Sequence, residues 1–326
     1  MRVEIAGTGR ALPAAMVSSA TLDAHHGLPE GRIFSLTGVA ERAICQDESQ
    51  IDLAVAAAQA ALDDAGIRAE EISLIIGASA VPYQPIPATA PLVMARLGIA
   101  DGQAAAFDVN STCLSFLTGF ETAARMISQG GTALVFSSEL ASRALPWAQA
   151  PEIAGLFGDG AAAAILRPAK GPARIAACLM RSYPSAYEAC GIGAGGTRFD
   201  FTQEPEAFAE HAFFAMEGRT LFRLAAQYFG GFVTDLLDRA GWQHSDVDLV
   251  IPHQASPAAL AHMIRQTGFA AERVVNIAAD YGNQIAASIP FTLDLARRQG
   301  RIRPGMRVLF LGTSAGVSFG GMALEV

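Results

Sequence analysis

Phe107-Asp108-Val109-Asn110-Ser111-Thr112-Cys113-Leu114-Ser115-Phe116 is the stretch on which the reading of this chain turns. Strand-forming residues run into small polar residues that cap helices. An apolar-periodic segment follows from Cys113 to Ile127, with Leu114, Leu117, Phe120 and Ala124 at helical spacing. The pattern predicts a strand, a tight turn and a helix, with a cysteine in the helix's first turn. Free N–H groups and the positive end of the helix dipole favour an anion there, which biases a thiol towards nucleophilic thiolate. Taken alone, the stretch is better served by a small buried cysteine packed where strand meets helix.

The composition sets the frame for that choice. With 326 residues the chain has length for two domain-sized units and a sizeable core. A 51% hydrophobic content against 17% charged residues describes a compact protein with largely buried elements. The net charge of −8 and the lack of any lysine or arginine run argue against a nucleic-acid partner. No apolar stretch is long enough to span a membrane, and Glu4 interrupts any signal-peptide core in Met1–Gly7. Cys45, Cys113, Cys178 and Cys190 lie far apart without metal-ligand spacing. No metal is therefore expected, and a reducing cytoplasm suits them.

Outward from the cysteine unit, the chain predicts an alanine-rich helix over Ile51–Ala65 ending at Gly66, a strand at Ile72–Ile76 and a proline-broken loop from Val81 to Thr89. A helix around Pro91–Leu97 follows, and beyond the cysteine unit a strand at Ala133–Phe136 and a strand at Ala161–Leu166 entered through Gly158-Asp159-Gly160. Residues 20 to 50 read as loops with a short helix, and Pro146–Ile153 as a loop. Pro168–Pro172 is the candidate boundary, dividing the chain into halves 1–170 and 171–326. The second half reads as a strand at Ile175–Leu179, an irregular glycine-rich stretch to Gln203 and a long helix from Phe213 to Ala240.

From there the sequence repeats itself. Leu62 through Ala80 aligns without gaps on Leu237 through Ala255, with seven of 19 positions identical. A second echo pairs Gln129-Gly130 before Ala133–Phe136 with Gln299-Gly300 before Val308–Leu311. Two matches in the same order indicate a duplicated α/β unit. In a pseudo-symmetric pair, equivalent strand ends build one shared site. Two candidates fall there. His253 follows the strand Val247–Ile251, ahead of a helix opened by Ser256 as N-cap and Pro257 at its first position. Asn283 sits in the turn Tyr281-Gly282-Asn283 before the helix Ala286–Gln299. His25, His26, His211, His244 and His262 read as structural histidines, and an asparagine beside glycine is by itself a turn former.

Together these residues resemble a known family. Asp-Val-Asn-Ser-Thr-Cys ending at Cys113, Ile-Pro-His-Gln-Ala around His253 and Tyr-Gly-Asn-Gln-Ile-Ala-Ala-Ser around Asn283 are similar to the Cys–His–Asn triad of β-ketoacyl-acyl carrier protein synthase III, in the thiolase superfamily. Thr37–Arg42, Leu156–Ala161 and the glycine-bearing strand Gly312–Gly321 extend the resemblance over nearly the whole chain. It implies a thiolase-like duplicated αβαβα five-layer fold and a homodimer. It also implies that Cys113 takes an acyl group from an acyl thioester (acyl-CoA or acyl carrier protein) and passes it to the enolate formed when malonyl-ACP loses carbon dioxide. His253 and Asn283 would hold the thioester oxygen of that enolate, and the backbone N–H groups of Cys113 and Ala315 the acyl carbonyl. No permanently bound cofactor is implied.

The resemblance also carries departures. Where family members hold a tryptophan and an arginine against the CoA adenine, this chain has Arg32 and Leu36. Two further family arginines fall on Pro151 and Ala258, an asparagine on Ser256 and a phenylalanine near the histidine on Thr313. These replacements point away from acetyl-CoA and towards a medium-chain or functionalised acyl donor. Arg32 remains able to meet a phosphate. Ile86, where a bulky phenylalanine often limits chain length, would floor the partner's acyl tunnel, and Arg143 could meet a dicarboxylic acyl group as in biotin-precursor synthases. Alternatives are a secondary-metabolite ketosynthase, or an acyltransferase or hydrolase that uses Cys113 and His253 without condensing.

Overall fold

The computed structural model describes all residues, Met1 to Val326. Two sheets carry the chain. The first runs in the order Glu4–Ala11, Gly160–Arg167, Ala133–Glu139, Leu74–Gly77, Ala105–Asp108. The second runs Arg174–Ser182, Ser318–Glu325, Arg307–Ser314, Leu249–Pro252. Strand for strand these are the same sheet, with the same parallel and antiparallel neighbours. The fifth strand of the first sheet survives in the second as a single parallel bridge, Val250 to Val274.

Helices fill the gaps between and outside the sheets. Gln50–Ala65 covers the outer face of the first sheet, packing Ala54, Ala57, Ala58 and Ala61 against Ile75, Leu134 and Ala163. Gly218–Ala240 covers the second sheet through Phe229, Phe232, Val233 and Leu236, and Pro257–Thr267 packs beside it with Met263 and Ile264. Between the sheets lie Ser115–Met126 and Ser288–Arg298, burying Phe116, Phe120, Ile289 and Phe291 in the largest core. Five layers, helix–sheet–helix–sheet–helix, result.

Local chemistry explains the repeated units. Ser49 caps Gln50–Ala65 in a reciprocal capping box with Asp52, and Gly66 ends it in the left-handed region. Gly241 ends Gly218–Ala240 the same way. Each helix is followed by a short 3₁₀ turn, Ala69–Glu71 or His244–Asp246, whose last acidic side chain reaches back to the N-cap N–H of Arg68 or Gln243.

Several boundaries differ from the sequence reading. The long helix begins at Gly218, because Phe213 and Phe214 belong to a loop leading into the short strand Ala215–Met216, which pairs with Cys190–Gly191. Residues 20 to 50 hold two short helices, Ser19–His25 and Arg32–Thr37. Pro151–Ala154 forms one helical turn, with the proline at its first position. Cys113 lies in the 3₁₀ turn Thr112–Leu114, just ahead of the helix Ser115–Met126 and outside its first turn.

The strand Glu4–Ala11 lies so close to the helix Gln50–Ala65 that only glycine fits at two positions. A Cβ on Gly9 would stand 2.4 Å from the Ala57 carbonyl oxygen and the Ala61 nitrogen, both backbone atoms that cannot rotate away. Gly9→Ala is therefore expected to lower stability by about 3 kcal/mol or more, read as a fall in denaturation midpoint. An unchanged midpoint would contradict this packing.

Candidate active site

Cys113, His253 and Asn283 all line one cavity of about 740 Å³, together with Asn110, Ser256, Gly312, Thr313, Ser314 and Ala315. His253 and Asn283 are 5% and 7% exposed. The cavity walls are otherwise largely apolar, with Val81, Leu156, Phe157, Phe213, Leu221, Phe229 and Phe319 among them.

The turns that carry the cysteine and the asparagine are built alike. Asn110 Oδ1 accepts the Thr112 N–H at 2.8 Å, and Asn283 Oδ1 accepts the Ile285 N–H at 2.8 Å. Thr112 and Ile285 both have positive φ, 55° and 50°, a conformation that costs a β-branched residue about 1–3 kcal/mol. A 3₁₀ turn follows each, Thr112–Leu114 and Ile285–Ala287, and then a serine opens a helix. Ser115 Oγ returns to the Thr112 carbonyl at 2.7 Å, and Ser288 Oγ to the Ile285 carbonyl at 2.9 Å. The stretch 110–115 is thus the structural twin of 283–288. The sequence hides this, since only the first and last residues of the two hexapeptides are identical.

These contacts orient the polar groups. With Oδ1 held by the Ile285 N–H, Asn283 points its amide nitrogen towards the Ala255 carbonyl at 3.3 Å, leaving a second N–H for the cavity. His253 continues the strand ladder through its N–H to the Leu311 carbonyl at 2.8 Å, and its Nδ1 lies 2.7 Å from Ser288 Oγ. Nε2 is left free of protein partners in the cavity that His253 lines. The next residue, Gln254, is fully buried and bonds the Pro252 and Val275 carbonyls and the Ile277 N–H, each at 3.0 Å, fixing the turn.

Burial controls the charge state. It lowers the His253 pKa to about 4, so the imidazole is neutral at pH 7. It also pushes the Cys113 thiol up, assisted by Cys190 and Glu139, whereas the Cys113 and Ala315 backbone N–H groups nearby pull the other way. The thiolate bias read from the sequence is therefore corrected: desolvation outweighs the turn's N–H groups, and the resting thiol is protonated. Ala315 lines the same cavity wall as Cys113. Glu139, missed in the sequence, is a fully buried carboxyl that accepts the Ala80 N–H at 2.5 Å and the Val81 N–H at 3.4 Å. Burial raises its pKa to about 8.

Models of the 3-oxoacyl-[acyl-carrier-protein] synthase III family match residues 107–184 and, for its C-terminal part, 237–326. A β-ketoacyl-[acyl-carrier-protein] synthase III of Streptomyces coelicolor is 37% identical over 98% of this chain and 96% of its own length. The chain belongs to the synthase III family. A 3-oxopimeloyl-[acyl-carrier-protein] synthase of Rhodothermus marinus is 36% identical over 97% of this chain and 91% of its own. Among solved structures, the synthase III of Pseudomonas aeruginosa PAO1 superposes with a TM-score of 0.88 at 33% identity, covering 100% of this chain and 98% of its own.

The remaining residues singled out from the sequence fall in different places of this synthase III fold. Ser256 and Thr313 line the cavity, Ser256 also capping the helix Pro257–Thr267 by accepting the Ala259 N–H at 3.0 Å. Arg32, at the start of the helix Arg32–Thr37, and Arg143, in the turn Ala141–Ala144, are exposed and outside the cavity lining. Ile86 is 86% exposed on its loop and likewise outside it.

The neutral, buried imidazole has a consequence for stability. In the unfolded chain a histidine protonates near pH 6.5, while folded His253 resists protonation down to about 4. Its stabilising contribution is therefore complete above about pH 6.5 and lost as pH falls towards 4, the loss amounting to about 2 kcal/mol by pH 5. His253→Gln is expected to lose less melting temperature than the wild type between pH 6.5 and 5. Parallel acid limbs in the two proteins would contradict the assignment.

Proposed function

We propose that this protein condenses an acyl group held on Cys113 with malonyl-ACP, losing carbon dioxide and giving a 3-oxoacyl-ACP. The observation that carries the reading is the meeting, in one largely apolar cavity, of the Cys113 sulfur, the Ala315 backbone beside it and two neutral donors, His253 and Asn283. In the first half-reaction Cys113 Sγ attacks the acyl thioester carbonyl. The carbonyl oxygen gathers charge against the Cys113 and Ala315 N–H groups, the old carbon–sulfur bond breaks, and the thiol proton ends on the departing thiol. In the second, the malonyl thioester oxygen lies against His253 Nε2 and Asn283 Nδ2. Loss of carbon dioxide leaves an enolate whose charge these donors hold. Its carbon attacks the acyl carbonyl, and the Cys113–acyl bond breaks to return the thiolate. Neither donor changes its charge near neutral pH, so neither requires a proton source at the moment of decarboxylation.

The half 1–170 contributes the nucleophile on this reading, and 171–326 the two donors. A primer longer than acetyl, or one carrying a functional group, suits the large apolar cavity, and the family's adenine-gripping positions hold Arg32 and Leu36. A homodimer suits the strand Ala105–Asp108, an edge strand of the first sheet with an open hydrogen-bonding side. Beside it the loop carrying Val81, Tyr83 and Ile86 presents exposed apolar side chains while both its ends are pinned: Glu139 holds the Ala80 N–H, and Asp108 accepts the Thr89 and Ala90 N–H groups. Four free cysteines suit a reducing cytoplasm.

Asn283→Ala is expected to retain acylation of Cys113 while slowing carbon dioxide release from malonyl-ACP by about 100-fold or more. Equal loss of both half-reactions would contradict the division of labour. With acyl-CoAs of graded length as donors, chains longer than acetyl are expected to give the greater kcat/KM, and Ile86→Phe to shift the preference towards shorter chains. A clear acetyl preference in the wild type would overturn the primer assignment.

A further inference from the structure

Ser288 is fully buried at the start of the helix Ser288–Arg298, and its hydroxyl is the one group hydrogen-bonded to His253 Nδ1. That hydroxyl has a single proton and two places to send it, the Ile285 carbonyl at 2.9 Å or Nδ1 at 2.7 Å. The carbonyl does not depend on it, because it already accepts the Ser288 backbone N–H. The Gln254 N–H, at 3.4 Å, approaches the same oxygen as a donor. If Nδ1 also carried a proton, Oγ would take two donors while sending its own proton to an occupied carbonyl. With the hydroxyl turned to Nδ1, each group is paired once.

The twin turn supplies a comparison. Ser115 has no imidazole beside it, and its Oγ sits 2.7 Å from the Thr112 carbonyl, which likewise takes the Ser115 N–H. At Ser288 the matching distance opens to 2.9 Å, and the shorter contact is the one to the histidine. We propose that Ser288 is a positioning residue that holds His253 as its Nε2–H tautomer by donating to Nδ1, and so makes His253 a donor beside Asn283 Nδ2. The inference rests on the proposed condensation for its purpose. A hydroxyl is suited to the task because it adds no charge. A carboxylate in its place would accept from Nδ1–H and turn Nε2 into an acceptor, unable to hold an enolate oxygen.

The direct test is the nitrogen spectrum of the ¹⁵N-histidine-labelled wild-type protein at pH 7.5, with the His253 signals assigned by their loss in His253→Gln. The expected result is a protonated Nε2 and an unprotonated Nδ1. A proton on Nδ1 overturns the proposal, whatever the variants do. In kinetics, Ser288→Ala is expected to keep acylation of Cys113 within about threefold and to lose about tenfold or more in carbon dioxide release from malonyl-ACP. Ser288→Thr, which keeps the hydroxyl, is expected to recover most of that loss. Equal loss of both half-reactions in Ser288→Ala, with no recovery in Ser288→Thr, would reduce Ser288 to a packing residue. If the wild type neither acylates nor releases carbon dioxide, the condensation reading fails while the spectrum still decides the tautomer.

Discussion

Two backbone hydrogen bonds, from the Asn283 N–H to the Leu156 carbonyl at 2.8 Å and from the Gly158 N–H to the Asn283 carbonyl at 3.1 Å, join the turn of one half to the loop of the other. The proposed donors, His253 and Asn283, and the proposed nucleophile, Cys113, come from different halves, so their alignment depends on contacts of this kind. Phe157-Gly158-Asp159-Gly160 is shaped around the junction. A Cβ on Gly158 would stand 2.4 Å from the Tyr281 carbonyl oxygen, and Asp159 ties the loop back through the Cys45 and Ser142 N–H groups at 2.8 Å each. Gly282, at φ 66°, lets the asparagine turn leave its helix and meet this loop. A motif recognised through family resemblance thus acts by holding Asn283 in place; no chemistry of its own is needed.

Duplication explains why strain is tolerated on both sides of the cavity. Thr112 and Ile285 adopt the same unfavourable backbone conformation, each held by the carboxamide of an asparagine two residues earlier and by a serine three residues later. The two turns have diverged in what they present. In the first half the position after the strained residue is Cys113, the proposed nucleophile. In the second it is Ala286, which brings no reactive group, although the asparagines of both turns line the cavity. One turn geometry therefore serves two chemistries, and the histidine arises where the first half has Ala78.

Much of this was legible in the sequence. Capping residues, left-handed glycines and alanine-rich periodicity placed the outer helices and the inner strands, and two echoes revealed the duplication. The third echo, 110–115 against 283–288, is hidden because the shared backbone conformation rests on only two shared side chains, the asparagine and the serine. Charge state is hidden for a related reason: a turn's N–H groups can be inferred locally, but the desolvation that raises the Cys113 thiol comes from distant segments closing over it. Glu139 carries no such signal, and Ser288, although it closes the Tyr281–Ser288 motif, gains its meaning only from what the fold packs against its hydroxyl. Gly218–Ala240 starts later than the helical pattern suggests, because Phe213 and Phe214 fit that pattern but serve the cavity wall and its adjoining cluster.

The central claim is that the sulfur, the paired N–H groups and the two neutral donors share one cavity in register for acyl transfer. A crystal structure of the acyl-enzyme, trapped by soaking Cys113 with an acyl-CoA in the absence of malonyl-ACP, tests it most directly. The account predicts an acyl thioester on Cys113 with its carbonyl oxygen about 2.9 Å from both the Cys113 and Ala315 N–H groups. His253 Nε2 and Asn283 Nδ2 should remain free beside it. A carbonyl turned away from those N–H groups, or an acyl group bound to another cysteine, would contradict it.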